Sequence, residues 1–274
     1  MTKKKIGIVA KKLDHSLSPF IHNYWSKKNK KKYIYKKYEI EEENISKFFQ
    51  KYKCDKDFIG FNITIPYKEH FINLCDRISL RAKKIGSINL IYKKNKIVFG
   101  DNTDVIGFGK TFSSLKVKKV KGVLLIGAGG AARAILYYLN NKKIENIDIF
   151  ATSYRRKDSL SKNFKFKKLT NRPSQLKKSY DLIINASSAG MNNDNQINKS
   201  VIKLVRNAKF LIDIVYNPIE TDLLREANKH NIKSSGGLKM LIEQAKPSYE
   251  SWIRKKIKID KDIHKILLKK ICTK

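Results

Sequence analysis

Residues 122–139 read GVLLIGAGGAARAILYYL. Four apolar residues, 123–126, run into Gly127-Ala128-Gly129-Gly130, and Ala131 opens a helix-forming segment. The pattern predicts a buried strand, a tight turn and a helix N-terminus, the setting in which a glycine-rich turn cradles phosphate. Residues without Cβ atoms let the backbone turn sharply and approach an anion, while the helix start offers N–H groups and the positive end of its dipole. Ala132 stands where such motifs carry a third glycine and is small enough for close helix–strand packing. Gly127, Ala128, Gly129, Gly130 and Ala131 are therefore the candidate cofactor loop. An ordinary strand–helix turn would share the pattern, so the assignment depends on what surrounds it.

The chain has 274 residues, 41% of them hydrophobic and 10% aromatic, enough for one large or two ordinary globular domains. No apolar run reaches the 18 residues of a membrane span. The opening MTKKKIGIVAKK has a basic head but too short an apolar run for a signal peptide, and reads as a first strand. A net charge of +36 would suit nucleic acid or an anionic surface. The basic residues are nevertheless spread from Lys3 to Lys274 without a nucleic-acid-binding signature. Lys, Ile, Asn, Phe and Tyr are all abundant, a group drawn from AT-rich codons, so the charge reads as a solvated surface. Cys54, Cys75 and Cys272 have no metal-binding spacing and cannot all pair, which points to a reducing cytoplasm.

Along the chain, strands are expected at 6–9, 33–40 and 58–65, with helices starting at Ser18 (an N-cap followed by Pro19) and covering 44–52. Pro66 ends the third run and Tyr67 is expected to begin a short helix. Residues 87–92 and 97–99 flank a hairpin at 93–96. From Thr103 the chain turns helical. Strands are expected at 147–150, 181–185 and 210–215, alternating with helices, which implies a parallel sheet with right-handed crossovers. Helices should cover 220–230, 238–252 with a kink or restart at Pro247, and 261–270.

Chemistry concentrates in stretches that place polar residues, Gly and Pro at strand ends. They are HSLSPFIHN (15–23), GFNITIPYKE (60–69), GDNTDVIGF (100–108), NASSAGM (185–191), DIVYNPIETDLL (213–224) and GGLKMLIEQA (236–245). With the glycine loop they make seven motifs that resemble, in order and spacing, the shikimate dehydrogenase family over nearly the whole chain. The resemblance implies an α/β fold of two domains: an N-terminal α/β substrate domain and a Rossmann-like NADP-binding domain, with C-terminal helices returning to the first. The boundaries implied are 1–103 with 238–274 for the substrate domain and 104–237 for the dinucleotide domain. The activity implied is the reversible NADPH-dependent reduction of 3-dehydroshikimate to shikimate on a small-molecule site.

By the same resemblance Ser16 and Ser18 hold the substrate carboxylate, and two hydroxyls beside a helix start could serve one anion. Thr64, Asn89, Tyr216 and Gln244 match further substrate positions, Lys68 and Asp104 the catalytic pair, and Gly237 a cofactor position. In so basic a chain Lys68 stands out only through its motif, and Asp104 would also suit a helix N-terminus on its own. His15 and His22 read as packing or hydrogen-bonding groups, and no metal site is expected. A quinate/shikimate dehydrogenase with relaxed cofactor use is the nearest alternative. A basic nucleic-acid-binding protein on a Rossmann-like shell is the alternative of another class. Nucleic acid and membrane are not expected partners; a homodimer is compatible with the sequence.

Several positions depart from the family pattern. Ala10-Lys11-Lys12 replaces a Gly-Asn-Pro-like turn, Leu90 replaces a threonine, and Val105 replaces a glycine. The usual Asn-Arg-Thr after the second Rossmann strand is Ala151-Thr152-Ser153, followed by Arg155 and Arg156. Residues 150–157 carry no acid, whereas NAD enzymes place Asp or Glu there for the ribose 2′-OH. Two arginines would instead meet a 2′-phosphate. Arg156→Ala should therefore raise the Michaelis constant for NADP far more than that for NAD, and equal effects on both would refute the assignment.

Overall fold

The structure, a computed structural model, describes residues 3–117, 119–152, 157–191 and 196–272. The chain divides into two compact units, Met1–Thr103 with Gln244–Ile263 and Asp104–Glu243 with His264–Lys274.

The first unit carries β1 (Lys4–Ala10), α1 (Ser18–Lys28), β2 (Tyr33–Glu39), α2 (Ile45–Cys54), β3 (Phe58–Ile63), β4 (Arg77–Ile78), α3 (Leu80–Ile85), β5 (Leu90–Lys94) and β6 (Ile97–Asp101). Its sheet runs β2-β1-β3-β5-β6-β4. β5 is antiparallel to both neighbours, and the other pairs are parallel. The β5–β6 hairpin turns at Asn95 and Lys96, both at positive φ, as tight two-residue turns demand. Val9, Phe61 and Ile63 share a core with Phe49 and Tyr52 of α2 and with Phe71.

A second aromatic group surrounds His22 of α1. Its ring stacks on Tyr35 at 4.4 Å, and Trp25, Tyr249 and Trp252 lie within 6 Å. Trp252 reaches this place because residue 60 is glycine: a Cβ there would stand 2.3 Å from the indole nitrogen, which donates to Ile91 O at 3.0 Å.

The second unit carries α4 (Asp104–Ser114), β7 (Val123–Ile126), α5 (Gly130–Asn141), β8 (Ile147–Phe150), α6 (Lys157–Ser161), β9 (Lys168–Thr170), β10 (Leu182–Asn185), α7 (Lys199–Lys203), β11 (Phe210–Asp213), α8 (Asp222–Lys229) and β12 (Lys233–Ser235). α9 (Gly237–Ile253) and α10 (Ile263–Cys272) come after them. The sheet is wholly parallel, in the order β12-β11-β10-β7-β8-β9. Its four central strands are buried on both faces, which explains why they are apolar apart from Asp148, Asn185 and Asp213. Alternation divides them: Val123 and Leu125 face Ala132, Ile135, Leu136 and Leu139 of α5, whose spacing makes one helical stripe. Leu124 and Ile126 pack with Val201, Leu223 and Leu224 on the other face.

The expected strands and the long helices are present, with local differences. Ser18 is the first residue of α1, Leu17 holds the N-cap position, and Ser16 Oγ accepts from Ser18 N at 3.4 Å. Tyr67 lies in a hydrogen-bonded turn, its N–H donating to Thr64 O; between Tyr67 and β4 the helical residues are the 3-10 turn Ile72–Leu74. Pro247 does not interrupt α9. A proline within a helix forfeits the one hydrogen bond that its missing N–H would give the carbonyl four residues earlier; the turn after it is tied by Ser251 Oγ, which donates to Pro247 O at 2.8 Å. Residues 238–243 and 264–274 group with the second unit, where His264 and Leu268 of α10 line a cavity together with Tyr216, Leu224 and Leu238.

Burial holds the His22 imidazole neutral, with its pKa pushed down to about 3; Asn62 opposes this slightly, but neither ring nitrogen makes a hydrogen bond of sound geometry. A folded pKa below the unfolded one means the unfolded chain binds the proton first, so stability falls as pH drops from about 6.5 towards 3. The loss is about 2 kcal/mol between pH 7 and pH 5. His22→Phe should therefore lose less stability than the wild type across that interval, measured by urea unfolding. Parallel pH profiles for the two proteins would contradict it.

Candidate functional site

In the first unit the substrate candidates are gathered by backbone hydrogen bonds. Thr64 comes directly after the end of β3, where its N–H donates to Val9 O at 3.1 Å. The adjoining turn carries Lys68, half-buried, whose carbonyl accepts from Ile88 N at 2.8 Å. The next residue is Asn89, and its own carbonyl accepts from Ile63 N at 3.0 Å. Thr64, Lys68 and Asn89 are thus fastened to adjoining points of one sheet, and Ser16 and Ser18 adjoin each other where β1 gives way to α1.

Gln244 joins this group from α9. Asn89 Nδ2 donates to Gln244 Oε1 at 3.3 Å and to Thr103 Oγ1 at 3.0 Å, while Thr103 N donates to Asn89 Oδ1 at 2.7 Å. Thr103 is fully buried and also contacts Ser248 Oγ at 3.2 Å. The sequence alone does not single out Thr103, Asn62 or Ser248. The first two lie inside motifs quoted for their neighbours, and nothing local marks Ser248. Asp104, buried, opens α4 as its first-turn acid.

In the second unit the glycine loop lies where chain order reverses between β7 and β10, the switch point at which open α/β sheets receive ligands. Gly127 has φ +104°, and a Cβ on it would stand 2.9 Å from Ser187 N and 3.0 Å from Ala186 O. Position 127 therefore tolerates only glycine, for conformation and for space. Ala128 and Ala131 are half-buried. Gly129 occupies the N-cap of α5 and has no side chain to block an anion from the helix start. The loop thus fits a dinucleotide phosphate.

Beside it, Asn185 Nδ2 and Thr221 Oγ1 donate to Asp213 at 2.9 and 2.6 Å, and Val215 N adds a third donor at 3.0 Å. Burial nonetheless pushes the Asp213 carboxyl up to about 6, against those three hydrogen bonds. The network fixes the exit of β11, just ahead of Tyr216. Gly237 N donates to Val215 O at 3.0 Å, and a Cβ on Gly237 would meet Ile214 O at 2.0 Å. Tyr216 and Gly237 share the lining of a 260 Å³ cavity with Ser235, Leu238 and His264. Arg155 and Arg156 lie outside the described residues. Among the described residues no group of His, Cys, Asp and Glu could hold a metal ion.

Residues 8–91 match the shikimate dehydrogenase substrate binding domain, and residues 109–233 match shikimate / quinate 5-dehydrogenase. The chain belongs to the shikimate dehydrogenase family. It is 37% identical over 251 residues to the NADP(+) shikimate dehydrogenase of Clostridium beijerinckii, covering 90% of each chain. With the Clostridium perfringens (strain SM101) enzyme it shares 37% over 263 residues, covering 94% of each. Among solved structures, shikimate dehydrogenase 1 of Peptoclostridium difficile superposes with a TM-score of 0.84 at 32% identity, over 98% of this chain and 97% of that one.

Gly127→Ala tests the cradle. Positive φ and backbone crowding should together cost at least about 1–3 kcal/mol, seen as a lowered Tm and weakened NADP binding. Gly122→Ala, whose Cβ would meet nothing closer than 3.7 Å, serves as the control. A Gly127→Ala protein as stable as that control would show the approach to be looser than described.

Proposed function

We propose that this chain catalyses the reversible NADPH-dependent reduction of 3-dehydroshikimate to shikimate, a step towards aromatic amino acids. The observation that carries the reading is family membership along nearly the whole chain, joined to the clustering of Thr64, Lys68, Asn89 and Gln244 about one sheet. A shikimate dehydrogenase 29% identical to this chain was solved in complex with NADP+, with a TM-score of 0.83 over 99% of this chain and 95% of that one. The Listeria monocytogenes enzyme, 25% identical with a TM-score of 0.82, was solved with shikimate and NAD. That second complex favours testing NAD beside NADP. Residues 1–103 with 238–274 serve as the substrate domain and 104–237 as the NADP domain. Three free cysteines suit a reducing cytoplasm.

In this reading Ser16 and Ser18 take the substrate carboxylate, and Thr64, Asn89, Tyr216 and Gln244 take its ring oxygens. Residues 127–131, with Gly237, Arg155 and Arg156, hold NADP, which when bound exchanges a hydride with C3 of the substrate. Reduction leaves negative charge on the C3 oxygen, and a lysine ammonium within hydrogen-bond reach stabilises that charge and returns a proton. In the oxidation direction the neutral amine accepts the hydroxyl proton. Lys68 is the proton carrier, and Asp104 is the carboxylate that orients it and keeps the ammonium favoured.

Lys68→Ala should lower kcat by roughly 10²–10⁴-fold, with a much smaller change in the Michaelis constant for shikimate. Asp104→Asn should also lower kcat, and the double variant should lose clearly less than the product of the two single losses, because the pair acts as a unit. The assay follows NADPH absorbance with shikimate and quinate against both cofactors. A folded Lys68→Ala enzyme with near-native kcat would overturn the mechanism; quinate turned over as well as shikimate would displace the substrate assignment.

A further inference from the structure

The carboxyl ends of β7, β8 and β9 form one continuous row. Gly127 N donates to Phe150 O at 2.8 Å, and Ala151 N donates to Thr170 O at 3.0 Å. Phe150 is in register with Ile126 on one side and Thr170 on the other. In a dinucleotide-binding fold the group that meets the ribose 2′ position comes about 20 residues past the glycines, at the end of the next strand. That strand is β8, and one strand spacing of about 4.8 Å separates its end from that of β9. An arginine just past Thr170 is within side-chain reach of what the ribose carries at its 2′ position.

β8 is followed by Ala151 and Thr152, which carry no charge. Arg172 stands at the exit of β9. Its backbone is fixed on both sides: Arg172 N donates to Thr170 Oγ1 at 3.0 Å, and Arg172 O accepts from Gln175 N at 3.1 Å. Pro173 restricts the residue before it to extended backbone, and Arg172 has φ −103° and ψ 113°. The Arg172 side chain is exposed, and among the described residues its guanidinium has no hydrogen bond or ion pair. Lys168, the cation within β9, is committed instead: its ammonium donates to Gln175 O and lies 3.8 Å from Asp148. Asp148 is the acid of these two strands; it is buried and accepts from Tyr180 OH at 2.8 Å, so no exposed carboxylate of β8 or β9 opposes an anion here. Arginine is also scarce in this chain, nine of its 60 basic residues, the rest being lysine. The guanidinium fork matches a phosphate through two parallel hydrogen bonds, which an ammonium cannot do. An arginine on a fixed backbone in a lysine-rich chain suits recognition of a phosphate better than it suits bulk charge.

We propose that Arg172 is a specificity-determining residue for the cofactor: its guanidinium binds the ribose 2′-phosphate of NADP from the β9 side, supplying a cation that the exit of β8 lacks. NAD carries a neutral hydroxyl at the same position and gains nothing from the guanidinium, so Arg172 separates the two cofactors. The inference deepens the NADP reading above and rests on it. It concerns binding alone, since the 2′-phosphate takes no part in hydride transfer.

The test measures binding by isothermal titration calorimetry at one fixed ionic strength, with adenosine 2′,5′-bisphosphate and adenosine 5′-monophosphate as probes beside NADP+ and NAD+. Arg172→Ala keeps the backbone hydrogen bonds and should weaken the bisphosphate and NADP+ roughly tenfold, the scale of a lost charge-assisted hydrogen bond. Its affinity for the monophosphate and for NAD+ should stay within about twofold. Arg172→Lys keeps the charge without the fork and should fall between wild type and alanine. Lys229→Gln removes one exposed charge from α8, away from this edge, and should leave all four affinities unchanged. Bisphosphate binding unchanged in Arg172→Ala, equal losses for both probes, or a loss of the same size in Lys229→Gln would overturn the proposal while leaving the NADP reading standing. A wild-type protein that binds the bisphosphate no better than the monophosphate would remove the NADP reading and this inference together.

Discussion

The close approach of two backbones at the β7–β10 junction governs the second unit. Ile126 O accepts from Ala186 N at 2.8 Å, and one residue later Gly127 passes so near Ala186 and Ser187 that no side chain fits between them. That contact forces the chain to leave β7 in a positive-φ turn, which in turn starts α5 immediately above the sheet edge. The helix stripe at 132, 135, 136 and 139 then has one place to pack, on Val123 and Leu125. The same contact thereby sets the strand order and opens the switch point beside the helix N-terminus. The exit of β7 and the loop that leads into α5 share one steric constraint, which is why the glycine cannot be exchanged without disturbing both.

Each unit ends its central strands in a buried polar network, and the two networks are built alike. In the first, Asn62, Asn89, Thr103, Gln244 and Ser248 link β3, the approach to β5, the exit of β6 and α9. In the second, Asn185, Asp213 and Thr221 link β10, β11 and the N-cap of α8. Hydrophobic packing is non-directional and leaves strand ends free to shift by fractions of an ångström. Buried hydrogen bonds at those ends do not, because an unmade one costs the desolvation of its group. The networks lie where loops must present side chains in fixed directions.

Much of this was legible in the sequence because the signals were strong and local. The runs at 123–126, 147–150 and 210–213 are apolar but for Asp148 and Asp213 because both sheet faces are covered, and the glycine cluster dictates the turn and helix start after the first of them. The edge strands β4, β9 and β12 leave no such mark: Arg77–Ile78, Lys168–Thr170 and Lys233–Ser235 are too short and too polar to show a period, and only pairing with an inner strand defines them. Ser18 looked like an N-cap because it precedes proline, yet the cap position falls on Leu17. Pro247 looked like a break, but tertiary packing of Ala245, Ser248, Tyr249 and Trp252 holds the helix through it. The motifs named Asn89 and Gln244, whose amides the fold brings to 3.3 Å from each other. Thr103 and Ser248 were not singled out, because their importance lies in partners 14 to 145 positions away.

The basic surplus of the chain and the chemistry of the site are separate matters. With 60 Lys and Arg against 24 Asp and Glu, positive potential is available over much of the surface. Acidic groups are mostly tied to it locally, as in Lys4–Asp57 and Lys5–Asp55 at 2.8 and 2.9 Å. A field that is positive in every direction can hasten the arrival of an anion but cannot orient it, and salt screens it within about 8 Å at physiological strength. Orientation needs groups whose donor and acceptor ends differ and are held in place. The first unit supplies them as neutral amides and hydroxyls, oriented by a backbone N–H and a backbone carbonyl that cannot change roles. Net charge can therefore drift far from neutrality with codon usage without disturbing these amides and hydroxyls, which carry no formal charge.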